Sequence, residues 1–338
     1  MRYLVTGSAG FIGNHVSLAL LEAGHEVIGL DCLTDYYDVK LKMDRLARLT
    51  GFDRFTEARI DLADSMAITG IFATHKPDIV IHLAAQAGVR YSLDHPRAYA
   101  QSNLSGFLNI LEGCRDTGVK HLLYASTSSV YGANTAQPFT ETTPVGHPLT
   151  LYAATKRANE LMAHSYAHLF GIPCSGLRFF TVYGPWGRPD MSYFKFCKAI
   201  LEGRPIDIYN HGKMSRDFTY IDDIVAGILK LADAPPAPNP DWDGDAPDPS
   251  TSGIAPFSVY NIGNSNVTPL MDWVELIEAK LGRPAIRNFM PLQAGDVLST
   301  YADTSALQAV TGFAPNTSPE VGIGRFVDWY LDYYGAPE

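Results

Sequence analysis

Cysteine is scarce. The chain has four, Cys32, Cys114, Cys174 and Cys197, far apart and without the short spacings that gather a metal or a disulfide framework. They read as reduced core or pocket-lining residues, which points to the cytoplasm. The ten histidines form no HxxxH or HExxH pattern, so no metal site is expected. Basic residues are outnumbered, 26 against 36 acidic, for a net charge of −10. That balance argues against nucleic acid and anionic membrane surfaces as partners. It leaves room for an anionic small molecule in a local basic pocket. No apolar run approaches the length of a membrane span. Tyr3-Leu4-Val5 already reads as a first strand, so no signal peptide is expected. What is present is 338 residues, 46% hydrophobic and 18% charged. That is enough for one large or two modest domains with a proper core. No internal repeat is visible.

The first thirty residues carry a pattern with a physical purpose. Arg2 to Thr6 reads as a strand, Asn14 to Ala23 as a helix ending at Gly24, and His25 to Leu30 as a second strand closing on Asp31. Between the first strand and the helix lie Gly7, Gly10 and Gly13. In that context Gly7 permits a tight turn, Gly10 lets the backbone approach a pyrophosphate, and Gly13 lets helix and strand pack closely. The helix N-terminus then offers N–H groups and a positive dipole end to phosphates. Asp31 can accept both adenosine ribose hydroxyls and repels a 2′-phosphate, which favours NAD over NADP.

Strand–helix alternation continues through Phe55–Ile60, Ser65–Thr74, Asp78–Leu83, Arg97–Thr117 and His121–Ser126. Ala84 to Gly88 is a small-residue loop where a cofactor could lie against the backbone. The reading is α/β: a Rossmann-type doubly wound parallel sheet over residues 1–183, with contributions from later segments. A smaller C-terminal substrate-binding region is expected over 184–338. Residues 234–256, rich in Pro, Asp and Ser, read as an exposed or partly disordered loop.

The chemistry centres on Tyr152-Ala-Ala-Thr-Lys156. A tyrosine and a lysine four apart share one helix face, here on a helix from Leu151 to Leu169 stopped by Gly171. A free phenol, with a pKa of about 10, is a poor base at neutral pH. A nearby ammonium stabilises the phenolate and lowers that value. Thr127, just past a parallel strand, stands at the edge where such sheets bind ligands. Its hydroxyl could hold a substrate oxygen. Together these form a general acid–base unit for an alcohol or ketone.

These pieces, with Asp61-Leu62, His82-Leu83-Ala84-Ala85, Thr127-Ser-Ser-Val-Tyr131-Gly132 and Arg216-Asp-Phe-Thr-Tyr-Ile-Asp-Asp223, resemble the extended short-chain dehydrogenase/reductase family. Within it they resemble the nucleotide-sugar 4-epimerases. Ala85-Gln-Ala-Gly-Val-Arg90-Tyr-Ser and Arg178-Phe-Phe-Thr181-Val-Tyr-Gly-Pro-Trp186-Gly-Arg188-Pro-Asp-Met look like UDP-glucuronate 4-epimerases. The resemblance implies Tyr152 as the base at the sugar 4-hydroxyl, Lys156 on the nicotinamide ribose, and Thr127 on the 4-oxygen. It implies NAD contacts from Gly7, Gly10, Phe11, Ile12, Gly13, Asp31, Asp61, Leu62, Leu83, Ala84, Ala85 and Asn103. It implies UDP-sugar contacts from Arg90, Ser128, Thr181, Arg188, Arg216 on the diphosphate and Asp296 on the uridine ribose. A homodimer through two helices per subunit is also implied, at Arg97–Thr117 and Leu151–Leu169.

Many sugar epimerases place asparagine where Thr181 stands. The smaller hydroxyl makes room for a carboxylate at sugar C5. Arg188 offers a guanidinium that clamps this carboxylate or locks its loop; a surface pair with Asp190 is the alternative. Ser128 and Ser129 stand where a 4,6-dehydratase needs an acid pair, and Ser129 where a UDP-glucuronate decarboxylase typically carries glutamate. A UDP-glucose 4-epimerase stays open if Thr181 and Arg188 read no carboxylate. The intact Thr127, Tyr152 and Lys156 argue against a regulator that kept the fold and lost catalysis.

Overall fold

The computed structural model describes residues 1–293 and 295–335. In chain order its elements begin β1 (Arg2–Thr6), α1 (Phe11–Glu22), β2 (Glu26–Leu30), α2 (Val39–Ala47), β3 (Phe55–Ala58), α3 (Ser65–His75) and β4 (Ile79–His82). Next come α4 (Tyr91–Asp94), α5 (Pro96–Tyr99), a π-helical turn (Ala100–Ser105), α6 (Gly106–Thr117), β5 (His121–Thr127) and α7 (Leu151–Phe170). Then follow β6 (Cys174–Phe179), β7 (Thr181–Tyr183), α8 (Ser192–Leu201), β8 (Pro205–Ile208), β9 (Ser215–Tyr220) and α9 (Ile221–Ala232). The chain closes with β10 (Phe257–Ile262), β11 (Val267–Pro269), α10 (Leu270–Leu281), β12 (Ile286–Phe289), α11 (Ser305–Thr311) and α12 (Pro319–Tyr334).

Seven strands form one sheet in the order β10-β6-β5-β4-β1-β2-β3, and every neighbouring pair is parallel. Parallel strands are covered on both faces, so they read as unbroken apolar runs. Alternate side chains nonetheless go to different cores. Tyr3, Val5, Ile79, Ile81 and Leu123 pack with residues of α1, α8, α9, α10 and α12. Leu4, Val80, Leu122 and Tyr124 pack with α3, α6 and α7. The strand order reverses between β1 and β4, and the crevice there is where sheets of this kind bind ligands. Two small sheets, β11-β9-β7 and β12-β8, add residues such as Thr181, Ile206 and Arg216 to the wall of that crevice. Among the described residues no helix is long and apolar enough to cross a membrane.

Four readings of the sequence change. The helix expected over Arg97–Thr117 is broken: α5 ends at Tyr99, the π-turn follows, and α6 starts at Gly106. A π-turn inserts one residue per turn and re-aims the side chains within it, among them Asn103. The strand expected to run to Phe180 stops at Phe179, and Thr181 begins β7 in another sheet. The segment 234–256 is exposed along most of its first half, but its second half is packed. Asn239 N–H donates to the Ser252 carbonyl at 2.8 Å. His164 on α7 bonds the Ser252 hydroxyl at 3.0 Å, and Ser250, Ser252 and Ala255 are buried. It delivers the chain to edge strand β10, which lies beyond residue 183 yet completes the main sheet. Finally, α2 is a helix for which the sequence offered no clear apolar stripe, because Lys42 and Arg45 occupy its buried face.

Candidate active site

A cleft of about 910 Å³ runs along the carboxyl ends of the parallel strands. At one end lies the glycine turn. Gly7 has φ +76°, and a Cβ there would come within 2.9 Å of the Ala84 nitrogen. A Cβ on Gly13 would fall 2.1 Å from the Gly7 carbonyl oxygen. The turn and α1 therefore close on each other only as glycines. Gly10 caps α1 without any side-chain hydrogen bond, and no acidic residue stands in the first turn. The first N–H groups of the helix are left to the cleft, a cradle suited to phosphate.

Asp31, at the end of β2, accepts from Leu33 N–H at 2.8 Å and from Ala9 N–H at 3.2 Å. It is held rigidly while lining the cleft. Lys42 also lines it, with Nζ donating to the Thr34 carbonyl at 2.6 Å and hydroxyl at 2.9 Å. Nothing in the sequence pointed to Lys42, because no helix is evident there before folding. Phe11, Ile12, Asp61, Leu62, Leu83, Ala84 and Ala85 all line the same wall. Asn103 does not. It is buried, accepts from Gln86 N–H at 2.8 Å and donates to Thr155 at 3.1 Å. The π-turn aims it at the protein side of the Ala84–Gly88 loop, which it braces from behind.

The middle of the cleft holds Thr127, Tyr152 and Lys156. Thr150 caps α7 by accepting from Ala153 N–H at 3.3 Å, and the helix presents Tyr152 and Lys156 together. Thr127 is the last residue of β5. Burial pushes the Tyr152 phenol above its ordinary pKa, opposed by its hydrogen bond to the Thr127 hydroxyl and by the Arg188 charge. The expectation that Lys156 depresses this pKa is corrected. Its Nζ donates to the Ala125 carbonyl at 3.0 Å, and burial lowers its own pKa to about 8. The cations and donors acting on the phenol are Arg188 and Thr127.

Behind this group sits Glu160, missed in the sequence because it looks like any helix glutamate. It is 1% exposed. It accepts from Arg178 at 2.9 and 3.0 Å, from Arg157 at 2.8 Å and from the Ser126 hydroxyl at 2.7 Å. A charge so buried is tolerable only when paired and fully hydrogen-bonded. The cluster locks β5, β6 and α7 together beneath Thr127 and Tyr152.

At the other end the walls come from scattered segments. Thr181 opens β7 and lines the cleft, as does Ser128. Arg188 also lines it, but its guanidinium is engaged by Asp190, Nε to Oδ1 at 3.0 Å and Nη2 to Oδ2 at 2.5 Å. The pair with Asp190 is present, and it lies inside the cleft and not on the surface. Arg90 donates to Asp296 at 3.0 Å and lies over the Tyr209 ring at 4.9 Å. Arg216 donates to the Ser215 and Leu298 carbonyls at 2.8 and 3.1 Å. Three groups expected on the UDP-sugar, Arg90, Arg216 and Asp296, thus share one wall.

Comparison with known proteins agrees with this geometry. A probable UDP-glucuronate 4-epimerase of Rhizobium meliloti is 52% identical, over 99% of this chain and 98% of its own. The structure of a Bacillus cereus UDP-glucuronic acid 4-epimerase, in complex with UDP-glucuronic acid and NAD, superposes with TM-score 0.87 at 32% identity, covering 99% of this chain and 100% of that one. A Thermotoga maritima UDP-glucose 4-epimerase with UDP-glucose gives 0.86 at 29%, covering 99% and 100%. The family model for NAD dependent epimerases and dehydratases matches residues 3–243, and the chain belongs to that family.

Proposed function

We propose that this protein is a UDP-glucuronate 4-epimerase, interconverting UDP-glucuronate and UDP-galacturonate through a 4-keto sugar with bound NAD. One observation carries the reading: a single cleft joins the glycine cradle, the Thr127–Tyr152–Lys156 group, and a wall holding Thr181, Arg188, Arg216 and Asp296. The cradle fits the cofactor, since any Cβ at Gly7 or Gly13 would close it. Residues 1–183 serve mainly the cofactor, and 184–338 the UDP-sugar.

Gly7, Gly10, Phe11, Ile12 and Gly13 would hold the NAD pyrophosphate, Asp31 the adenosine ribose, and Asp61 and Leu62 the adenine. Bound NAD supplies a reversible hydride acceptor for sugar C4. The protein's own part is proton transfer and restraint. Tyr152 takes the 4-hydroxyl proton while Thr127 holds the oxygen. Its phenolate is favoured by the Thr127 hydrogen bond and the Arg188 charge. Arg90, Arg216 and Asp296 keep the UDP in place while the keto sugar turns over. Tyr152 then returns the proton to the C4 oxygen, with the opposite face of C4 now presented to the returning hydride.

Oxidation at C4 makes the glucuronate a β-keto acid, which loses carbon dioxide when the carboxyl bond aligns with the ketone. Thr181, Ser128 and Arg188 all line the cleft, and they would hold the C5 carboxylate out of that alignment. The reading includes a homodimer through α6 and α7, supported by exposed Leu108, Leu161, Leu169 and Phe170. It includes a cytoplasmic location, in keeping with four unpaired cysteines. The test is a panel of UDP-sugars with products identified by NMR. UDP-galacturonate from UDP-glucuronate is the expected result. Turnover of UDP-glucose alone would overturn the carboxylate reading.

A further inference from the structure

The loop Trp186–Asp190 carries Arg188, and it is held mainly from one distant segment. Arg45, on α2, is 0% exposed. Among the described residues it forms no ion pair and gives its guanidinium to neutral oxygens. Nε and Nη2 donate to the Trp186 carbonyl at 3.0 and 2.6 Å, and Nη2 to the Gly187 carbonyl at 3.0 Å. Nη1 donates to the Ala9 carbonyl, inside the glycine turn, at 3.1 Å, and to the Tyr37 hydroxyl at 2.7 Å. The neighbouring Tyr36 hydroxyl donates to Asp190 Oδ2 at 3.1 Å, and Asp190 in turn grips Arg188 from two sides. Trp186 itself sits at φ +61°. A bulky side chain keeps that left-handed backbone only where its surroundings over-determine it. Here Arg48 lies over its ring at 5.0 Å, and Trp329 and Tyr333 pack against it at 5.4 and 5.1 Å.

We propose that Tyr36 and Arg45 are positioning residues for the sugar end of the site: together they fix the Trp186–Asp190 loop and so place the Arg188 guanidinium. Burying an arginine against three carbonyls and a hydroxyl, with no acidic partner, is an expensive way to fill space, and an apolar side chain of like volume would do that better. What only the fork achieves is to tie the Trp186 and Gly187 carbonyls to the Ala9 carbonyl. The cofactor's turn and the carboxylate's arginine then share one frame. Tyr36 sets the last link, because Asp190 can hold Arg188 in one orientation only if Asp190 is itself oriented.

The inference rests on the function proposed above and predicts a change in product partition. If Arg188 drifts, the 4-keto glucuronate can reach the aligned rotamer. The C5–carboxyl bond then breaks, its electron pair passes into an enolate on the C4 oxygen, carbon dioxide leaves, and C5 takes a proton. The full-length protein loaded with NAD is compared as wild type, Tyr36→Phe and Arg45→Lys. Carbon dioxide, UDP-4-keto-pentose and the UDP-pentose formed when the bound cofactor returns hydride to its C4 are measured against UDP-galacturonate by mass spectrometry. Calorimetry gives the affinity for UDP-galacturonate relative to UDP-galactose. Both variants should raise the decarboxylated share about tenfold and reduce preference for the acid sugar. A loosened loop need shift the barrier difference only slightly to do so. Tyr36→Phe removes one hydroxyl at a partly exposed site and keeps the test intact should Arg45→Lys fail to fold. Wild-type partition and preference in Tyr36→Phe overturn the role of Tyr36. Weaker folding or NAD retention with unchanged partition in Arg45→Lys makes Arg45 merely structural. A wild type that leaves UDP-glucuronate untouched removes the functional reading, and this inference with it.

Discussion

The two ends of the cleft are built on different plans. The cofactor end comes from consecutive strand–turn–helix units: Gly7 to Gly13 after β1, Asp31 after β2, Asp61-Leu62 after β3, Ala84 to Gly88 after β4. Each stretch is short, and its conformation follows from its own residues. The opposite end draws Thr127, Tyr152, Thr181, Arg188, Arg216 and Asp296 from six strands, helices and loops spread over half the chain. Their relation is set by packing elsewhere: Glu160 beneath Thr127, Arg45 beneath Trp186, and Asp217 beneath the loop ending at Ala302. Asp217 accepts from Ala302 N–H at 3.1 Å and Asn264 N–H at 2.7 Å, with burial raising its pKa to about 6. A local motif can be read residue by residue, whereas a convergent wall cannot.

The strongest way to break the convergent end is Tyr152→Phe. It removes the only proposed base at the sugar and leaves the cradle whole. Turnover should fall by roughly two to four orders of magnitude while NAD and UDP-sugar binding persist; steady-state kinetics beside calorimetry check both halves. Near-normal turnover would remove Tyr152 from the mechanism.

The local end is sharpened by Asp31→Asn. The variant loses the charge proposed to hydrogen-bond the ribose diol and repel a 2′-phosphate. Charged hydrogen bonds are worth about 1.5–3 kcal/mol, so NAD affinity should drop about tenfold to a hundredfold, with NADP gaining relative ground. Cofactor titration of the stripped protein is the measurement. An unchanged NAD-to-NADP ratio would show that Asp31 does not meet the ribose.

Gly13→Ala attacks the same end through sterics. Its Cβ would sit 2.1 Å from the Gly7 oxygen, so backbone must move. Overpacking of this kind costs about 1–3 kcal/mol. Thermal unfolding should show that loss, together with poorer NAD retention. A variant as stable and as well loaded as wild type would mean that α1 can slide away freely.

The smallest effect separates stability from function at the centre. Lys156 is 2% exposed, with its pKa lowered to about 8 from 10.5. The folded state therefore holds this proton less tightly than the unfolded chain, and Lys156 costs stability at neutral pH. That cost shrinks as pH rises from about 8 towards 10.5. Lys156→Met should lose activity yet unfold at a slightly higher temperature at pH 7, by the equivalent of about 1 kcal/mol. The advantage should narrow at pH 10. A variant less stable than wild type at pH 7 would show that the bond to Ala125 outweighs the desolvation.

Much of the scaffold was legible. The limits of α12 fall where Pro319 and Tyr334 suggested, and β1, β5 and α7 lie within a residue or so of their expected bounds. These segments have simple apolar patterns and ordinary caps. Where charges go inside, the pattern fails. α2 hides Lys42 and Arg45 in its buried face, so its periodicity reads as that of a solvated turn. The helix before α6 breaks in a π-turn that no single residue demands, and Asn103 is aimed at Gln86 as a result. The Arg188–Asp190 pair shows a similar limit, since the sequence suggested a surface pair and only the folded loop brought it into the cleft.

By itself the sequence determined the elements whose causes are local: apolar runs that must be covered on both faces, glycines that alone fit a closed turn, and a tyrosine and lysine one helical turn apart. It thereby determined the sheet, the cradle and the acid–base pair. Tertiary structure alone decided the electrostatics of that pair. Burial raised the phenol and lowered the lysine, Arg188 arrived from a loop held by Arg45 and Tyr36, and Lys156 turned to the Ala125 carbonyl. The reason is physical. Local conformation depends on neighbours along the chain, but a pKa depends on desolvation and on charges in space, and these exist only once distant segments have packed.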